Sequence, residues 1–518
     1  MPERRISWQP GFTLSRKPAK RPTRPRNRQQ QFEIVVEQPE TFHRRAKGQP
    51  ATTTSQYQEL FLGDSSKRRS DPETPNRASS NGVVEHDGPP VDNAPPHSSC
   101  AVATDSAGDA TRPGPSTTLT ALSGIIPPTV EYSGLVERFR PILTRYNSEF
   151  CTIPLTFKLR INPFRYRMDL DPEPLFLVHA VCALAGHHVQ STSMLTHRHA
   201  ALQLLRHSLD TLSDIEAMYS VLDTIVILFS LDETQSLLGT WSIHLQGAYR
   251  IVESCGGIQR IPLSSRLETQ IAILTWWDAI IALLSREECI FPYNYFESVL
   301  SNLHKREWDF FGLCGCPTAI VKIVMRLARL STTNHRISVG LDSPPDDDTV
   351  NEIIHSLESW SHVSNLTSLH DEESMHEDID AMHCSEAWRG GLLLYIFRVF
   401  QWTPGSTVPM HIIYRARTVV DHVIACRDTA MLSRQALLPL VFAGCELQDK
   451  STRTGIVRLI SDWDQRTRYH MFRGAIPILE EVWAESDEKG LENVWWGQII
   501  DRQQSSEADT LKLRICFG

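Results

Sequence analysis

No two cysteines in this chain stand at the Cys-x-x-Cys spacing, although eleven are scattered from Cys100 to Cys516. That absence removes the usual thiolate half of a structural zinc site and the usual dithiol redox motif. The nearest pair, Cys314-Gly-Cys316, precedes Pro317 and is expected in an ordinary loop. The first residues carry no apolar segment of the secretory kind, so an intracellular, soluble chain with free thiols is expected. The longest apolar run, Ile271 to Leu284, is interrupted by Asp278 and is too short by itself to cross a bilayer, so no membrane partner is expected.

Catalytic patterns are missing as well. There is no Gly-rich phosphate loop ending in Lys-Ser/Thr, no Gly-x-Ser-x-Gly elbow and no His-Glu-x-x-His helix. The aspartates Asp346 to Asp348 are contiguous rather than one helical turn apart, so they do not form a magnesium-holding pair of turns. His187 and His188 are adjacent, and His197 and His199 are two apart; on a helix the members of each pair diverge. No catalytic residue, no metal ligand and no enzyme activity are expected.

What is present is a strong asymmetry of charge. The net charge is −9, yet residues 1–47 hold twelve Lys/Arg against four Asp/Glu, or +8, which leaves −17 for the remainder. The basic residues concentrate at Arg16, Lys17, Lys20, Arg21, Arg24, Arg26 and Arg28. Interspersed prolines keep that arm out of a helix and favour an extended chain. Such a segment suits nuclear import, or weak phosphate contact with little sequence preference. Import is the favoured of the two.

Residues 48–128 contain 11 of the 31 prolines and many Ser and Thr, a composition that cannot bury enough apolar surface to offset its ordering entropy. They are expected to form a disordered linker. From about 129 to 500 the pattern becomes one of amphipathic helices separated by short breakers, which predicts an all-α domain of more than ten helices. Alternating β patterns are absent there. The remaining residues, 501–518, are set apart as a C-terminal tail. Within the helical region a polar insert, 341–380, ends in the acidic run Asp371 to Asp380, which is expected to be a solvated loop.

Three stretches are distinctive in combination. The first is Asn162-Pro-Phe-Arg165, followed by Leu175 to His188 and by His197-Arg-His-Ala-Ala-Leu-Gln-Leu-Leu205. The second is Trp241-Ser-Ile-His-Leu-Gln-Gly-Ala-Tyr-Arg-Ile-Val252, with the Trp276-Trp-Asp278 helix and Phe291-Pro292. The third is Leu437 to Glu446, with Trp483 and Trp495-Trp496 after it. Trp241, His244, Leu245 and Ala248 share one helical face, and Gly247 and Gly444 would each permit a close helix crossing. Asp278, in an otherwise apolar helix, requires a partner, and Arg286 and Arg250 are the candidates for an ion pair.

In order and spacing these stretches resemble the fungal-specific transcription factor domain. This is the regulatory region of fungal zinc binuclear-cluster regulators such as those of the acriflavine sensitivity control type. The resemblance implies a nuclear, DNA-binding transcriptional regulator of RNA polymerase II genes, governing a metabolic, biosynthetic or stress and drug-response gene set. It implies a helical part that controls activity, in some relatives by sensing a small molecule. The partners implied are DNA, reached directly or through other proteins, the transcription machinery, and a small-molecule effector. The family's six-cysteine zinc module is missing, since the first cysteine is Cys100, so no cofactor is expected in this chain. Zinc would enter only if an upstream cysteine cluster were absent from the gene model. The alternative is a helical ligand-sensing or scaffold protein without direct DNA binding.

Overall fold

The computed structural model describes residues 128–518, apart from the short stretches 158, 169–172, 210–214, 262–263, 302–307, 339–346, 365–369, 428–430 and 505–511. The basic arm and nearly all of the linker lie outside the described residues. Among those described, sixteen α-helices and one short strand pair are present, so the all-α expectation holds.

The helix starts follow local chemistry. Helix α6 (Ser265–Ser285) begins behind Ser264, whose hydroxyl accepts the Leu267 N–H. Helix α8 (Phe310–Cys314) begins behind Asp309, and α14 (Lys450–Thr467) behind Asp449, each carboxylate accepting a first-turn N–H. Pro174, Pro292 and Pro409 precede α2 (Leu175–His188), α7 (Tyr293–Leu300) and α12 (Met410–Ala425). Glu173, just ahead of α2, does more than complement the helix dipole. It is buried, accepts the Ser220 hydroxyl at 2.7 Å and faces Arg266, which also binds Asp223.

The acidic run at 371–380 is a helix rather than a loop. Asp371 and Ser374 cap each other's backbone reciprocally and open α11 (Glu372–Ile396). At the far end of the run Asp380 is buried, accepting both the N–H and the Nε–H of Arg427, at 2.9 and 2.6 Å. The acidic residues before it lie largely on the exposed side of the first turns, which is why charge density alone suggested a loop.

Sequential helices pack as neighbours: α2 on α3 (Met194–Leu209), α11 on α12, and α14 on α15 (His470–Lys489). Helix α13 (Leu437–Cys445) joins the last two groups by touching α11, α12, α14 and α15. Close crossings rest on glycine. A Cβ on Gly391 of α11 would lie 2.8 Å from the Pro439 Cα, a backbone contact that cannot yield. At Gly444 a Cβ would lie 2.9 Å from the side-chain end of Leu479 on α15.

Helix α6 is the axis of the fold, with 18 of its 21 residues buried. It contacts α4 (Ile215–Glu233), α5 (Trp241–Ser254), α7, α9 (Thr318–Ser338) and α16 (Trp496–Gln504). By length and composition α6 could cross a membrane, but 94% of its apolar window is packed inside the protein. Its hydrophobicity is that of a core helix.

The segment set apart as a tail returns to this core. Leu238–Gly239 (β1) pairs antiparallel with Arg514–Ile515 (β2), in the register Leu238↔Ile515 and Gly239↔Arg514. Ile515, Cys516 and Phe517 are buried.

Candidate effector site around the central helix

Two tryptophans pin the C-terminal strap to the motif residues. Trp241 Nε1 donates to the Arg514 carbonyl at 2.8 Å, and Trp276 Nε1 to the Gly518 carbonyl at 3.0 Å. The Cys516 N–H adds a bond to the Leu237 carbonyl at 3.1 Å. Behind the strap, Phe229 of α4 stacks on Trp277 with ring centroids 4.0 Å apart and planes 7° apart, and Trp241 lies 4.9 Å from the same phenyl ring. The Trp241 and Trp276-Trp277 motifs are therefore one aromatic block, assembled from α4, α5 and α6.

A cavity of about 40 Å³ lies against this block. One water needs roughly 10–15 Å³ by this measure, so the space holds a molecule of a few heavy atoms. Its aromatic walls include Trp276, Trp277, Trp388 and Phe517, and its polar lining includes Glu233, Arg434 and Tyr469. Burial pushes the Glu233 carboxyl well above the usual carboxylate range and pulls Arg434 down to about 10, still a cation at neutral pH. The Tyr469 hydroxyl shares a hydrogen bond of 2.9 Å with Ser230.

A second, larger cavity of about 350 Å³ opens beside another face of α6, where Asp278, Glu287, Lys512 and Arg514 take part in its lining. Arg514 Nε donates to Glu287 Oε2 at 3.1 Å. The strap thus contributes Arg514 to one cavity and Phe517 to the other.

Asp278 is not half of an ion pair. Its carboxylate accepts the backbone N–H groups of Ile290 and Phe291, at 3.0 and 2.8 Å. It thereby closes the turn that follows α6. Burial pushes it up to about 7, against the lowering effect of those two bonds. Arg286 has a left-handed backbone, φ 56°, which ends the helix and turns the guanidinium to Asp501 and the Gly497 carbonyl. Arg250 does not bond Asp278 either. The buried acid found its partners in main-chain donors, which sequence spacing does not reveal.

The other motif residues make contacts within the helical domain. His244 Nε2 shares a hydrogen bond of 3.0 Å with Asp232, which also binds Arg198 at 3.0 Å. Burial would raise the Asp232 carboxyl, but Arg198 and His244 outweigh it and hold it below the usual value. Gly247 is buried on α5. Cys314 and Cys316 are both buried free thiols, and burial pushes both well up, so neither is poised for thiolate chemistry.

The histidine pairs diverge as the helical spacing requires. His197 is buried, with its Nδ1 2.9 Å from the Nδ1 of His179, while His199 is exposed. His187 bonds the Arg468 carbonyl at 2.8 Å, whereas His188 stacks on Phe150 at 4.8 Å. Burial, with His187 and Arg468 nearby, pushes His188 from 6.5 down to about 3. The folded state refuses a proton that the unfolded chain takes up below pH 6.5, so this contribution to stability is complete above that pH. It is lost as pH falls toward 3, at up to roughly 1.4 kcal/mol per pH unit. His188→Phe keeps the stack without the titration, and its denaturant midpoint is expected to fall less than that of wild type on acidification. Parallel pH profiles for the two proteins would contradict this origin.

Comparison with known proteins supplies the context for this geometry. The sequence profile of the fungal specific transcription factor domain matches residues 142–508. The chain belongs to this family. The match covers every helix that lines the two cavities. Membership makes the protein a transcriptional regulator in kind, and the family is not an enzyme family. No curated protein and no solved structure matches the chain.

The domain's central site was only partly visible in its sequence. Trp276 and Trp277 stood out as aromatics in an apolar helix. Glu233, Arg434, Tyr469 and Phe517 did not, because each has neighbours in the site that lie hundreds of positions away in the chain. The one available signal was Glu233, a carboxylate closing a nearly all-apolar helix.

Proposed function

We propose that this protein is a nuclear regulator of RNA polymerase II transcription, controlling a metabolic, biosynthetic or stress and drug-response gene set. The helical domain, about 129–500, is its regulatory part, and the strap of 512–518 belongs with it. In this reading the basic arm of 1–47 directs nuclear import and the segment 48–128 is a linker. DNA is reached directly or through partner proteins, the transcription machinery is the downstream partner, and a small-molecule effector sets the activity. The observation that carries the reading is the family match over 142–508. The aromatic cavity between the helices supports effector sensing, since pockets between helices with few polar groups are the usual form of small-molecule sites.

A fluorescent fusion of the full chain tests it. Accumulation in nuclei is expected, with loss of that accumulation when Arg16, Lys17, Lys20, Arg21, Arg24, Arg26 and Arg28 are replaced by alanine. Deleting the gene is expected to change the level of a coherent transcript set. A fusion that stays outside the nucleus, with an unchanged transcriptome on deletion, would favour a scaffold instead.

A further inference from the structure

The lining of the central cavity is unbalanced in charge and in hydrogen bonding. Arg434 comes from the turn Ser433–Ala436 that precedes α13, and its guanidinium donates to the Ile153 carbonyl. Among the described residues no carboxylate forms an ion pair with it. Its neighbour Gln435 is committed to the Pro154 carbonyl at 2.7 Å. The indole N–H of Trp388, which also lines the cavity, is buried without an acceptor. Glu233 is buried, and its side-chain partner is the Cys516 thiol, 3.9 Å from Oε1. Burial pushes the Glu233 carboxyl well up, and among the described residues it forms no ion pair with Arg434.

The cavity is therefore lined by an arginine without an ion pair among the described residues, by one buried indole N–H without an acceptor, and by apolar walls. An orphaned buried N–H is costly unless an acceptor arrives from outside the chain, and the half-buried Arg434 offers such an acceptor a cation. An organic cation would add a second positive charge beside Arg434 and leave the Trp388 N–H without an acceptor. An oxygen anion relieves Arg434 and Trp388 together. The size of the space then limits the rest of the molecule to a few heavy atoms.

We propose that this cavity binds a short-chain organic monocarboxylate. Its carboxylate accepts from Arg434 and Trp388, and its apolar chain lies against Trp276 and Trp277. The site takes its regulatory meaning from the effector-sensing reading above, but binding itself does not depend on that reading.

The experiment uses the full chain. Tryptophan fluorescence and thermal unfolding are followed during titration with sodium propionate, against sodium chloride at equal ionic strength. A saturable response at millimolar propionate and a rise in melting temperature are expected for wild type. Arg434→Met is expected to weaken binding at least roughly tenfold, as loss of a charge-assisted pair does. Trp388→Phe, which keeps the ring volume, weakens it less, and shows the same direction should Arg434→Met fail to fold. Tetramethylammonium chloride is the counter-probe.

Propionate acting no differently from chloride, equal propionate binding in folded Arg434→Met, or saturation by tetramethylammonium alone would each overturn the assignment. A transcriptional reporter separates the two readings. Propionate binding without any reporter change upholds the site and removes its regulatory role. Reporter loss in Arg434→Met without propionate binding overturns the acid and leaves the cavity regulatory.

Discussion

Arg398→Ala is expected to lower the stability of the helical domain by about 3–5 kcal/mol, the usual cost of leaving one member of a buried ion pair uncompensated. Arg398 and Glu446 meet in a two-point pair at 2.6 and 2.7 Å, with side chains 2% and 1% exposed. The guanidinium also donates to the Val494 carbonyl at 3.2 Å and the Leu491 carbonyl at 3.4 Å, and lies 5.0 Å from the Trp402 ring. It therefore ties the end of α11 to the end of α13 and to the segment before α16. A domain is stable by only about 5–15 kcal/mol, so this single change removes a large share. Urea unfolding measures it. The double change Arg398→Met with Glu446→Leu is expected to cost far less, because apolar partners of similar volume need no hydration. A loss below about 1 kcal/mol in Arg398→Ala would show that the pair is solvated and that the packing does the holding.

Trp277→Ala is the second large effect, again about 3–5 kcal/mol. The ring is 2% exposed, stacks on Phe229 at 4.0 Å and meets Phe164 edge-on at 6.2 Å. Removing it opens a hole that merges with the central cavity, and the surrounding helices cannot close over a space bounded by so many elements. Trp277→Phe preserves the stack and is expected to lose less than half as much. The comparison of Ala and Phe variants in the same denaturant series checks this, and equal losses would mean that volume rather than stacking is what matters there. Because Trp277 also walls the proposed effector site, Trp277→Ala is expected to abolish any reporter response, while Trp277→Phe retains it.

Much of the architecture was legible from local pattern. The region expected to be helical from about 129 to 500 does hold well-separated helices such as Asp347–Ser359, Met410–Ala425 and Lys450–Thr467. Periodicity and capping residues act within a few positions, so a reader of the chain can see them. Where the reading failed, the deciding contact came from elsewhere. The run Asp371 to Asp380 looked like a solvated loop because Arg427, which receives Asp380, lies 47 residues further on. Asp278 pointed to an arginine, yet main-chain donors 12 and 13 residues away satisfied it.

The strap makes the same point at longer range. Nothing local in Arg514 to Gly518 says that it pairs with Leu238–Gly239 or that its carbonyls take the indole N–H groups of Trp241 and Trp276. By itself the sequence determined the helices, the family and the asymmetry of charge, since these follow from residue type and short-range spacing. Only the tertiary structure decided the cavity and its polar lining. Glu233, Arg434 and Trp388 become one site when three distant segments meet, and no periodicity within any one of them encodes that meeting.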